Sequence, residues 1–170
     1  DQDFNGNSRV LRWIAHNLDA TNMTIMELET TEDISHALTI ANRSGIPAQN
    51  FLVADNKGSI AWTIAGWIPQ RQGPSQSTPI NWRDFQDDWQ QQLALEEYPR
   101  IVNPSSGKLW TANNRIVDGS MLAKIGDGGF VLGPRDRPRR IDHPGRLGAS
   151  VGHCPWCVHR VGLVLCWLGL

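Results

Sequence analysis

The chain has no cysteine before residue 154: Cys154, Cys157 and Cys166 all fall within the last seventeen of its 170 residues. An odd number confined to one end is no disulfide framework, and it does not fix the compartment. Long apolar runs are also missing. The longest, Val161 to Leu170, contains Gly162 and Gly169 and falls well short of the ~20 residues that a membrane-spanning helix needs, which rejects a transmembrane reading. Charge of either sign is scarce in excess: a net charge of -1 and a pI near 6.6 give no global attraction to phosphate backbones or anionic lipid. No Met-led basic segment followed by an apolar stretch opens the sequence. Asp1-Gln2-Asp3-Phe4-Asn5-Gly6-Asn7 reads instead as a polar loop, and the start as a cut through a longer protein. Acids are absent after Asp142, where Gly, His, Cys and Trp crowd together without helical or alternating periodicity. So abrupt a break suggests foreign sequence, and the expectation is a partial domain over residues 1–142 followed by an atypical tail over 143–170, with the coding frame shifted near Ile141 to His143.

What is present suffices for a core, since 40% of the residues are apolar and eight are Trp. Val10 to Ala15 combines β-formers with aromatic bulk and predicts a strand. Thr30-Thr31-Glu32-Asp33 offers a hydroxyl cap and first-turn acids, and Ile34, Leu38 and Ala41 recur at helical spacing. The spacing predicts a helix from about Glu32 to Arg43, ended by Gly45 in a left-handed conformation and kept from resuming by Pro47. Asn50 to Ala54 and Ser59 to Ala65 are β-prone runs around Asp55-Asn56-Lys57-Gly58, a cluster suited to a tight hairpin turn. Arg71 to Pro79 reads as a loop. Asn81 to Tyr98 supports helix and irregular structure equally, Lys108 to Ala112 predicts a strand, and Asp127-Gly128-Gly129 a turn.

Several of these segments, in this order, resemble one family. Gln49-Asn50-Phe51-Leu52-Val53-Ala54-Asp55 turning into Gly58-Ser59-Ile60-Ala61-Trp62, then Gly66-Trp67-Ile68-Pro69-Gln70-Arg71, Asp88-Trp89, Pro99-Arg100, Asn103-Pro104-Ser105-Ser106-Gly107, Thr111-Ala112-Asn113-Asn114-Arg115 and the cluster Arg135 to Ile141 together resemble the penicillin amidase family of N-terminal-nucleophile hydrolases. Each motif is weak alone; their order and spacing carry the resemblance, which covers about Val10 to Ile141.

The resemblance implies an α+β fold, here a piece of a four-layer αββα arrangement with an incomplete sheet plus helix, drawn from the large subunit. It implies hydrolysis of an amide joining an acyl group to an amine, such as a β-lactam side chain or an acylated homoserine lactone. In that family the nucleophile is a Ser freed at a new N-terminus, whose α-amine, with an unperturbed pKa of ~7.7 to 8.0, serves as base. By position Asn113 matches the oxyanion-hole Asn, whose amide donates without adding a titrating charge, and Arg137 matches the Arg that orders the site near the nucleophile. Asn114 is a structural neighbour. Pro138 departs from the small residue usual there. No nucleophile-bearing segment is included, so the expectation is a chain inactive alone. Its partners would be the remaining α and β subunit segments and a small acylated amine, with no nucleic acid and no membrane. No cofactor or metal is assigned to this piece, calcium belonging to other segments of the intact enzyme; a periplasmic location follows from analogy only.

Other readings compete. Asn113 and Asn114 forming a turn beside a solvated Arg face is the plainer alternative. A truncated, non-catalytic remnant with exposed apolar surface is another. His153-Cys154-Pro155-Trp156-Cys157-Val158-His159 suggests a small metal-binding or redox module, but it lacks a second ligand pair and a βαβ context. Asp55 to Gly58 lacks the later acid of a calcium loop. His16 and His36 are isolated, and the scattered Trp residues suit core packing better than stacking platforms for sugars or single strands.

Overall fold

Asp33 decides where the first helix begins. In the computed structural model, which describes residues 2–10, 13–71, 89, 91–111, 115–126, 139–142 and 161–166, the last two stretches as backbone, helix α1 spans Ile34–Arg43. The Asp33 carboxylate accepts the His36 amide at 2.8 Å, satisfying one of the orphan donors of the first turn. The start is therefore two residues later than the expected Glu32. Thr30 is instead the last residue of a 3-10 helix over Thr24–Thr30. At the other end Ser44, not Gly45, closes the helix, its hydroxyl donating to the Ile40 carbonyl at 2.8 Å. Gly45 is not among the left-handed residues. It is needed for space, because a Cβ there would lie 2.0 Å from the Asn22 backbone nitrogen. Asn22 fastens this corner, its side chain accepting from the Gly45 amide at 2.8 Å and donating to the Arg43 carbonyl.

The expected hairpin is present: β1, Gln49–Asp55, pairs antiparallel with β2, Ile60–Ala65, from Gln49↔Ala65 to Ala54↔Ile60. Asp55 builds the turn by accepting the Lys57 and Ser59 amides on Oδ1, at 3.0 and 2.8 Å, and Gly58 supplies the positive φ of 91°. β3, Arg100–Val102, adds to β2, and β6, Val161–Cys166, adds to β1, giving an antiparallel sheet ordered β3-β2-β1-β6. β4, Lys108–Thr111, forms a separate antiparallel ladder with β5, Arg139–Asp142. A short helix α2 covers Gly119–Ile125. The architecture is α+β.

Alternation of side chains divides the core. One face of the hairpin presents Phe51, Val53, Ala61 and Ala65 to Ile34, Ala37, Leu38 and Ala41 of α1. The opposite face presents Leu52, Ile60, Trp62 and Ile64 to Leu109 of β4 and to Leu93 and Tyr98. Burying each large apolar side chain contributes about 1.5 to 3 kcal/mol, and both faces of β1 and β2 share in it. Helix, sheet and β4 therefore stack in that order.

Other expectations fail or fall elsewhere. Ile14–His16 is a 3-10 turn and not the end of a strand: Val10 and Leu18 project into solvent, and an extended run without a partner ladder has nothing to satisfy its backbone. Of the segment to Tyr98, only residues 89 and 91–98 are described, with a 3-10 turn at Leu95–Glu97 that Pro99 follows. The expected loop after Arg71 and turn at Asp127 lie outside the described residues. The tail lacks periodicity, yet it contributes the strand β6; a short uninterrupted apolar run with no acid can pair on a sheet edge without alternating. Trp62 and Trp67 are buried, but Trp13 and Trp110 are half exposed, so core packing accounts for only some of the Trp residues. Among the described residues no helix is long and apolar enough to cross a membrane.

Candidate active site

The two residues expected to carry chemistry, Asn113 and Arg137, lie outside the described residues, as does Asn114. The segments leading to them are described. β4 and β5 pair as Lys108↔Asp142, Leu109↔Ile141, Trp110↔Arg140 and Thr111↔Arg139, so the ladder ends with residues two positions from each candidate. Along β4, Leu109 and Thr111 are buried whereas Trp110 is half exposed. The odd-numbered side chains therefore face the sheet.

A polar framework holds β4 in place. Asn103, left-handed at φ 45°, grips Ile60 twice, donating its amide to the Ile60 carbonyl and accepting the Ile60 amide on Oδ1, both at 2.9 Å. Asn is among the few side-chain-bearing residues that take this conformation readily. Gly107, at φ 63°, completes the turn into β4. Behind β3, fully buried Asn42 donates to Thr63 Oγ1 at 2.9 Å and to the Ile64 carbonyl at 2.8 Å. Its Oδ1 accepts from Arg100 Nε and Nη2 at 3.2 and 2.6 Å, and Thr63 passes its own proton to the Pro99 carbonyl at 2.8 Å. The Pro99-Arg100 motif is thus the clasp between α1, β2 and β3.

The Gly66 to Arg71 motif also has a structural account. Gly66, at φ 103°, lies so close to the preceding loop that a Cβ would sit 2.5 Å from the Ile46 carbonyl oxygen. Arg71 Nη1 donates to the Lys124 and Ile125 carbonyls at 3.2 and 2.7 Å, capping the C-terminal end of α2 where the helix dipole favours a cation. Tyr98 Oη accepts from the Ile68 amide and Gln92 Nε2, each at 2.9 Å, and donates to the Gly66 carbonyl at 3.0 Å. Burial pushes its phenol above the usual tyrosine range, against the opposing bonds from Gln92 and Ile68. Sequence reasoning missed Asn42, Tyr98 and α2; the polar type of Asn42 on the apolar face of a helix was the one available signal.

An open groove of about 500 Å³ lies elsewhere, lined by Trp13, Ile14, His16, Asn17, Leu18, Asp19 and Trp89. Among the described residues its lining includes an imidazole and a carboxylate but no Ser or Cys, and no residue of β4. His36 is an exposed residue of α1. Among the described residues no group of three or more His, Cys, Asp or Glu side chains is placed to hold a metal; Cys154 and Cys157 with their flanking His residues lie outside them.

The penicillin amidase family matches residues 3–148, most of the chain. The chain belongs to the penicillin amidase family. A curated protein, the penicillin acylase 2 proenzyme of Pseudomonas sp. (strain SE83), is 29% identical over 73 residues. That stretch is 43% of this chain and 9% of the Pseudomonas protein, so the similarity spans under a tenth of the relative. No solved structure matches. The hairpin, the Asn103 turn and the Pro99-Arg100 clasp all lie inside the segment matched by the penicillin amidase family.

Proposed function

We propose that this chain is part of an amide hydrolase of the acylase type, in which Asn113 donates to the oxyanion and Arg137 orders the site around a Ser nucleophile carried on another segment. The supporting observation is the β4–β5 register. The paired positions sum to a constant, and two further steps from Thr111↔Arg139 reach 113 and 137 together. At ~3.5 Å per extended residue and ~5 Å across a pair, the two Cα atoms are tethered within about 20 Å of each other. An amide donor aimed at a tetrahedral oxyanion contributes on the order of 3 to 4 kcal/mol to the transition state. In the reaction the Ser oxygen attacks the acyl carbon while its α-amine takes the hydroxyl proton, and the amine hands that proton to the nitrogen as the carbon–nitrogen bond breaks and the product amine leaves; water then attacks the acyl ester, its proton passing through the α-amine to the Ser oxygen as the acid is released.

The helix, sheet and β4 order supports the αββα layering of N-terminal-nucleophile hydrolases. The relative's name suggests penicillin side-chain amides as substrates and a precursor that matures by cleavage; acyl-homoserine lactones are the family alternative. The α and β segments of the intact enzyme would complete the site, with calcium on those segments, in the periplasm. Alone, the chain would be inactive. The test has two arms. The purified chain is assayed for amine release from an acylated β-lactam and an acyl-homoserine lactone, with no turnover expected; turnover that survives Asn113→Ala would remove the proposal. Nitroxide labels on Asn113→Cys and Arg137→Cys, in a background lacking the three native cysteines, should report a backbone separation within about 20 Å, and a wider one sinks the shared site.

A further inference from the structure

We propose that the outer edge of β1 is a strand-acceptor site, filled in cis by residues 161–166, an uncharged extended segment outside the stretch that the penicillin amidase family matches. The inference does not depend on the acylase reading. β1 is buried on both faces, with Phe51, Leu52 and Val53 fully enclosed. In an antiparallel strand, N–H and C=O groups point alternately to the two edges, so pairing with β2 leaves about three donors and three acceptors aimed the other way. Unpaired in a buried strand, each would be strongly unfavourable. β6 meets this need over six of the seven residues of β1, from Asn50↔Cys166 to Asp55↔Val161.

The match to the family ends at residue 148, so the strand that completes this sheet comes from beyond it. Val161-Gly162-Leu163-Val164-Leu165-Cys166 has no charge and no Pro, and so none of the features that keep a strand from joining an edge. The opposite edge is different: β3 is three residues long and carries Arg100, a short, charged edge that discourages further pairing. Recognition by an edge of this kind is through the backbone and favours extended apolar segments over any one sequence. Residues 161–166 are then part of the fold, whatever the origin of the tail.

Disulfide trapping tests the register. With Cys154, Cys157 and Cys166 replaced by Ser, Ala54→Cys and Gly162→Cys are cross-strand partners, and a Cα separation of ~4.5 to 5.5 Å lies within disulfide reach. Ala54→Cys with Val164→Cys is offset by two residues, ~7 to 8 Å apart and beyond it. Mild oxidation should close the first pair within one chain at least tenfold more completely than the second. Equal closure, or closure only between chains, overturns the proposal. Hydrogen exchange on the unaltered chain provides an independent measurement: all six amides of residues 50–55 should be slow, and an alternate set exchanging like an open strand defeats the assignment even if the cysteine variants fail to fold.

Discussion

Tyr98 is the chain's one tyrosine, so its ionisation is readable alone in tyrosinate absorbance. Burial raises its pKa, and an ionised phenolate also loses the proton it donates to the Gly66 carbonyl. The folded pKa lies above the unfolded value near 10, so this contribution to stability is fully present below about pH 10 and is lost as pH rises through the folded pKa. The expected titration of the folded chain is therefore displaced upward relative to the chain in denaturant; coincident curves would contradict the buried placement. Tyr98→Phe leaves the Ile68 amide without its acceptor and the Gly66 carbonyl without this donor, which costs about 2 to 4 kcal/mol and is measurable by urea unfolding. None of this was legible beforehand. Pro99 next to Tyr98 marks only a break in regular structure, while the partners that give the hydroxyl its place are 30 and 32 residues away. Asn42 is similar: its donors and acceptors come from Thr63, 21 residues on, and Arg100, 58 residues on.

At the level of elements, the legible parts are those whose signals are local. The β1–β2 hairpin follows from two apolar runs and a turn whose Asp55 and Gly58 act on their immediate neighbours. Helix α1 was legible in its apolar spacing and illegible in its caps, because Thr31, Asp33, Ser44 and Gly45 are all plausible cap residues until tertiary contacts choose among them. Gly45 and Gly66 show how one residue type serves different needs. Gly45→Ala keeps an allowed backbone but drives its methyl into the Asn22 backbone, and Gly66→Ala adds a left-handed strain to a clash with the Ile46 carbonyl. Both are expected to destabilise, Gly66→Ala by about 3 kcal/mol or more, and thermal unfolding of the two variants checks the order. A Gly66→Ala chain as stable as the parent would mean that the β2 exit does not pass so close to Ile46. The strand wrongly expected at Val10 shows the converse. β-forming residues specify a strand only where an edge exists to receive them, whereas the tail strand, with little pattern of its own, has such an edge in β1.

Across the whole molecule, stability is unevenly distributed. The sheet, α1 and β4 share two apolar clusters, while the described residues between 2 and 26 contribute a single buried apolar side chain, Ala20, and expose Phe4, Val10, Leu18 and Met23. A segment with few buried contacts opens at low free energy, so limited chymotryptic digestion should cut near Phe4, Trp13 and Leu18 well before Phe51 or Trp62, with β1, β2 and α1 retained in the resistant product. The start of that segment is held by Asp3, whose carboxylate accepts from the Asn7 side chain and amide, from Arg9 and from the Asn5 amide. These bonds, that of the Asn7 side chain foremost, hold its pKa well below the usual carboxylate range. The sign follows: the stabilisation is complete above the unfolded Asp pKa near 3.9 and disappears as pH falls through the lower, folded value. The Asn5 and Asn7 amide resonances should therefore hold their positions down to about pH 4 and move only in stronger acid, while Asp3→Asn removes the transition. A midpoint at the ordinary Asp value would show that the turn does not form, and early cleavage within β1 would place the weak point of the molecule in its sheet instead.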